Sequence, residues 1–89
     1  MTEFLKTSLF ASDLEFLKKH NRKLLEKVKT LCYDISHHPF DGLGKPEPLK
    51  YQFSGIWSRR IDKKNRLLYM PLEDGSIKLI SCRGHYRCE

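Results

Sequence analysis

Hydrophobic residues change their spacing once along this chain, near residue 49, and that change limits the fold more than any other feature. Before it, Phe10, Leu14 and Leu17 recur at i, i+4 and i+7, and Leu24, Leu25, Val28, Leu31, Cys32 and Ile35 form a second stripe of helical period. Ser8 is expected to cap the first helix, which ends near His20, and Asn21 to cap the second. Residues 3–7 are expected to form a short strand ahead of them. Pro39 stops the second helix, and the stretch from His38 to Pro48, with three prolines and two glycines, reads as an extended loop that its prolines stiffen. Beyond Leu49, residues 56–61, 66–70 and 76–83 are short runs rich in β-branched and aromatic side chains, the pattern of strands. Turns at Asp62–Asn65 and Asp74–Gly75 are too short to join anything but antiparallel neighbours. The predicted class is α+β, an N-terminal helical pair packed on a twisted antiparallel β-sheet, as one domain over residues 1–89.

Size and composition narrow the function. Eighty-nine residues are too few for the two cores of a two-domain enzyme, and 39% hydrophobic residues with ten aromatics suffice for one core without metal or disulfides. Three cysteines, Cys32, Cys82 and Cys88, are an odd number more typical of a reducing compartment, so the cytoplasm is expected. The N-terminus lacks the basic start and apolar run of a signal peptide, and no segment approaches the ~20 apolar residues of a membrane span. Seventeen Lys and Arg against eleven Asp and Glu leave a net charge of +6, which points to a polyanionic partner.

Three constellations can carry chemistry. In Lys45-Pro46-Glu47-Pro48-Leu49-Lys50 a carboxylate sits among lysines that favour its ionised form, while burial would oppose it; a balance of the two makes a base. Against this stands a plain solvated loop. Arg59, Arg60 and Arg66 lie on the two strands of one predicted hairpin, where guanidinium groups suit phosphate, or else a cross-strand ion pair. Hairpin register decides whether Arg59 or Arg60 shares a face with Arg66. The third, Cys82-Arg83-Gly84-His85-Tyr86-Arg87-Cys88-Glu89, offers an imidazole that titrates near neutrality and a phenol beside it. Its Cys82-x-x-His85-x-x-Cys88 spacing suggests zinc, but strand alternation sends Cys82 and His85 to opposite faces and only three ligands are on offer, so no metal or cofactor is expected. His37 and His38 sit where they favour a helix dipole.

In this order the constellations resemble the YoeB/Txe family of bacterial type II toxins, within the wider RelE-like group of mRNA endoribonucleases. The likeness runs from about Leu24 to Tyr86, through the stretches 38–50, 54–61 and 65–69 and the final Cys82-Arg83-Gly84-His85-Tyr86. The resemblance implies a RelE-like toxin fold and ribosome-dependent cleavage of mRNA in the decoding site, with Glu47 as general base, Arg66 as the phosphate-stabilising cation, His85 as general acid and Tyr86 orienting substrate or acid. Lys50, Arg59, Arg60 and Arg83 would contact RNA phosphate, and Lys18, Lys19, Arg22, Lys23, Lys27 and Lys29 would dock on ribosomal RNA unless they form a merely solvated face. It also implies a cognate YefM/Axe-like antitoxin with an acidic C-terminal segment, operon DNA bound only through that antitoxin, and no membrane partner, with a homodimer as one possible assembly. The alternative is a catalytically inactive RNA-binding or antitoxin-binding module of the same fold.

Overall fold

The computed structural model describes residues 2–84. Strand β1 (Phe4–Lys6) leads into helices α1 (Ser8–His20) and α2 (Arg22–His37), followed by β2 (Glu47–Pro48), a 3₁₀ turn (Tyr51–Phe53), β3 (Trp57–Arg60), β4 (Arg66–Pro71) and β5 (Ile77–Ser81). Thr7, rather than Ser8, caps α1. Its hydroxyl accepts from the Phe10 N–H at 3.0 Å and donates to the Ile80 carbonyl at 2.8 Å, so one side chain both starts the helix and ties it to β5. Asn21 caps α2 as expected, accepting from the Leu24 N–H at 3.1 Å.

The five strands form one sheet in the order β1-β5-β4-β3-β2. The expected helical pair on a sheet is present, but the sheet is mixed rather than wholly antiparallel. β1 pairs in parallel with β5, Phe4 opposite Ile77 and Lys6 opposite Leu79, which the long helical crossover between the first strand and the rest permits. β2, β3, β4 and β5 are antiparallel to their neighbours. Glu47 and Pro48, expected in the loop, make a two-residue edge strand; an edge is where proline is tolerated in a sheet.

Alternation along β3 and β4 sorts the side chains. Leu67 and Tyr69, with Ile77 and Leu79 of β5, join Phe10 and Leu17 of α1 and Leu25, Val28, Leu31 and Ile35 of α2 in one buried cluster. Each fully buried aliphatic side chain contributes roughly 1.5–3 kcal/mol by leaving water. Asp13 sits inside that helical stripe at 2% exposure, and its carboxylate accepts from the Cys82 N–H at 3.0 Å, fixing the end of β5 to α1. Among the described residues no helix is long and apolar enough to cross a membrane.

Candidate active site

Arg59 is completely buried, and all five of its N–H donors are used. Nη1 reaches Asp34 Oδ2 at 2.6 Å and the Leu43 carbonyl at 3.0 Å; Nη2 donates to the His38 carbonyl and, at 2.7 Å, to that of Asp41; Nε donates to the Tyr69 hydroxyl at 3.1 Å. Tyr69 in turn donates to the Pro39 carbonyl at 2.8 Å. The loop after α2 is thus wrapped around one guanidinium, and its otherwise unpaired carbonyls are satisfied there. Hydrogen bonds from the Leu43 N–H and from Arg59 hold the Asp34 carboxyl below its usual range, against the opposing effect of burial. Gly42, at φ 109°, lies so close that a Cβ would stand 2.2 Å from Asp34 Oδ2; Gly44, at φ 80°, is hemmed in by the Arg60 carbonyl and the Leu31 and Arg59 side chains. Only glycine fits either position. The expected contact between Arg59 and phosphate is therefore corrected: a guanidinium with no exposure and no spare donor cannot meet a ligand.

The loop delivers Glu47 to the sheet edge, where it pairs with Ser58, two residues before Arg60. Arg60 stands directly opposite Arg66. Because side chains two apart along a strand share a face, Glu47, Arg60 and Arg66 all lie on the face turned away from the helices. This settles the register question in favour of Arg60. Strand spacing and rise put the Glu47 and Arg66 Cα atoms roughly 12 Å apart, a gap that a carboxylate and a guanidinium reaching inward can close on one phosphodiester. Glu47, Lys50 and Arg60 are exposed and Arg66 is half-buried.

The turn at Asp62–Asn65 fixes Arg66. Asp62 Oδ1 accepts from the N–H groups of Lys64 and Asn65 and from the Asn65 amide; these bonds outweigh the burial that would raise its pKa and leave the carboxyl lowered. The exposed carbonyls of the turn then accept from Arg66 Nη1, at 2.7 Å for Asp62 and 3.2 Å for Asn65. Its other two guanidinium nitrogens have no hydrogen-bond partner among the described residues. The same turn holds the end of the described chain: Gly84 donates to Asn65 Oδ1 at 2.7 Å and accepts from the Arg66 N–H at 2.8 Å. His85 and Tyr86 lie outside the described residues, immediately after a residue bonded to Arg66.

Arg83 places its guanidinium carbon 3.5 Å from the centroid of the Phe16 ring on α1, a cation–π contact. Lys18, Lys19, Arg22, Lys23, Lys27 and Lys29 are all exposed on the two helices, on the opposite side of the sheet from Glu47. No three metal-binding side chains gather among the described residues. Cys32 is a free thiol that burial pushes up to about 11. Two participants escaped the sequence reading. Asp34 borders the apolar stripe of α2, and Asp13 stands within that of α1; an acid at such a position calls for a buried donor, which is a readable signal. Lys45 and Tyr51, the non-glycine residues with left-handed backbone among those described, bracket the Glu47 segment and gave no sequence signal.

A helical pair packed on a five-stranded mixed sheet is the fold of YoeB-like bacterial toxins. A YoeB/ParE toxin from Agrobacterium tumefaciens superposes with a TM-score of 0.92 at 37% identity, over 96% of this chain and all of that one. YoeB from Staphylococcus aureus, solved in complex with YefM, gives 0.86 at 32% identity over 97% and 99%, and it has also been solved as a dimer. The Toxin YoeB of a Synechocystis species is 44% identical over 91% of this chain and 93% of its own. The profile of the YoeB-like toxins of bacterial type II toxin-antitoxin systems matches residues 6–86, and the chain belongs to that family.

Proposed function

We propose that this toxin is a metal-independent, ribosome-dependent endoribonuclease that cuts mRNA in the decoding site and so stops translation. The observation that carries the reading is the open face of the sheet, where Glu47, Arg60 and Arg66 share one surface and Gly84 is bonded to Arg66. Glu47 takes the proton from a ribose 2′-OH, and the freed oxygen attacks the adjacent phosphorus. The phosphorane gains negative charge, which Arg66 stabilises through its guanidinium, two of whose nitrogens have no partner among the described residues, while Lys50 and Arg60 hold the flanking phosphates. The 5′-oxygen leaves with a proton from His85, which Tyr86 orients, so the products are a 2′,3′-cyclic phosphate and a 5′-OH. An exposed Glu47 needs a partner to bury and align it, and the ribosome-bound mRNA supplies that surrounding.

The partner in the cell is a YefM/Axe-like antitoxin, a reading that the YoeB-YefM complex of Staphylococcus aureus supports; the net charge of +6 is the ground for an acidic segment that covers the basic face. The antitoxin also carries the pair to operon DNA. A homodimer is supported by the Staphylococcus aureus dimer; the proposed reaction on ribosomes puts the site of action in the cytoplasm.

Glu47→Gln removes the proton acceptor and keeps the shape, so single-turnover cleavage of ribosome-bound mRNA should fall roughly 10²–10⁴-fold with ribosome affinity little changed. Mapping of 5′-OH ends reads the result. Wild-type cutting rates in a Glu47→Gln protein that binds ribosomes normally would refute the assignment.

A further inference from the structure

Lys45, at φ 54°, and Tyr51, at φ 59°, hold the left-handed backbone on either side of the segment that carries Glu47 and Lys50. An L-side chain adopts that conformation at a cost, and a bulky one needs a reason in the fold or in function. The fold supplies none for Tyr51. Its side chain is 86% exposed, and it meets no other aromatic ring among the described residues. Yet its place is rigidly set. The Ser54 N–H donates to the Tyr51 carbonyl at 2.9 Å, Phe53 to Lys50 at 3.1 Å, Ile56 to Phe53 at 3.0 Å, and Leu49 to Ile56 at 2.9 Å, so residues 49–56 form a loop closed on itself. Tyr51 lines a hollow of about 380 Å³ together with Glu47, Lys50, Gln52 and Phe53, a volume in the range of small-ligand sites.

We propose that Tyr51 is the stacking platform for a nucleobase beside the phosphodiester on which Glu47 and Arg66 act, an inference that rests on the ribonuclease reading above. A base laid on the ring presents its own phosphate to Lys50 and holds the ribose against Glu47. Stacking suits this place because every base has a π-face, so the platform accepts any message while fixing the position of the cut. A phenol also has few rotatable bonds to immobilise when RNA arrives. The backbone strain is then the cost of aiming the ring outward beside the base catalyst.

The test separates this role from a structural one. Tyr51→Asn removes the ring and relieves the backbone, since Asn tolerates the left-handed region; Tyr51→Phe keeps the ring. Tyr51→Asn should melt at or above the wild-type temperature, whereas the concentration of ribosome-bound mRNA that half-saturates single-turnover cleavage should rise about 5- to 100-fold, more than the maximal rate falls. Tyr51→Phe should stay within about threefold of wild type, because the ring does the stacking. A message lacking the base beside the cleaved bond completes a double-mutant cycle: losing the base should weaken the wild type and leave Tyr51→Asn unaffected. Binding is read separately with a 2′-O-methyl message that cannot react.

Equal losses on base removal in wild type and Tyr51→Asn, or early melting of Tyr51→Asn, would overturn the proposal. A wild type that shows the coupling in binding but never cuts leaves Tyr51 as the stacking residue and overturns the reaction instead. One that cuts without coupling overturns Tyr51 alone, and one that binds no RNA overturns both.

Discussion

Arg59 and Arg60 follow one another along β3, yet the first has no solvent exposure and gives every donor to Asp34, Tyr69 and three loop carbonyls, while the second is exposed opposite Arg66. One residue type on two faces of one strand builds the site in two ways. The helix-side guanidinium replaces a core that the loop, with its glycines and prolines, could not make from apolar side chains, and it sets where Glu47 meets the sheet. The outer pair is left on the open face, where the proposed reaction places its phosphate. A buried charge works as an organiser because its planar fork satisfies several carbonyls at fixed angles, and because its counter-ion, Asp34, is only 19% exposed.

The sharpest break in this comparison is Asp34→Ala. It leaves Arg59 buried without a counter-charge and frees the Leu43 N–H, so stability should fall by about 3–5 kcal/mol, a large part of the roughly 5–15 kcal/mol of a small domain. Urea unfolding followed through Trp57 fluorescence measures it; a loss below about 1 kcal/mol would mean that the carbonyl cradle alone satisfies the guanidinium. The Asp34 carboxyl is lowered in the folded state from a usual value of 3.8, so its contribution is complete above that pH and disappears as pH falls below it. The variant should therefore lose part of the acid sensitivity of the wild type below about pH 4.

Arg66→Ala tests the other face. Its Nη1 bonds go to turn carbonyls open to water, so stability should change by less than about 1 kcal/mol. The single-turnover rate should nonetheless fall on the order of a hundredfold or more, because its charge counts most when the phosphorane forms. If Arg66→Ala instead unfolded as readily as Asp34→Ala, the two faces would not differ in kind.

The two arginines also mark where sequence reading stopped. Both helices, the cap at Asn21 and three strands were legible because hydrophobic period is a local property of the chain. Residue chemistry alone made the open-face residues legible as types, and only the family resemblance named them together; whether Arg59 or Arg60 joins Arg66 depends on register, which the four-residue turn at Asp62–Asn65 fixes through Asp62 hydrogen bonds. The parallel pairing of β1 joins residues more than seventy apart, and nothing local encodes it. The stretch from His38 to Pro48 reads in sequence as an extended loop stiffened by its prolines; in the structure it carries Glu47 to the sheet edge, but its glycines and Asp34 serve Arg59 first. Tyr51 could not be found from sequence, because a tyrosine has no preference of its own for the left-handed backbone it adopts here and so gives no local signal of it.

The smallest effect on stability is expected from the helix lysines, which share the charge of the outer arginines but none of their neighbours. Lys18, Lys19, Lys23 and Lys27 are exposed, stand across the sheet from Glu47 and take no part in the buried cluster. Replacing all four by Glu should shift stability by less than about 1 kcal/mol, since isolated surface charges contribute little. If they dock on ribosomal RNA, each lost phosphate contact should make log affinity against log salt shallower by about 0.7–0.9. The chemistry itself should be untouched: once bound at saturating ribosome concentration, the quadruple variant should cut at the wild-type rate, in contrast to Arg66→Ala. Co-sedimentation with ribosomes across a salt series measures the slope. A variant that sediments as well as wild type in moderate salt would show the helix face to be merely solvated and would confine the working charge of this toxin to the open face of its sheet.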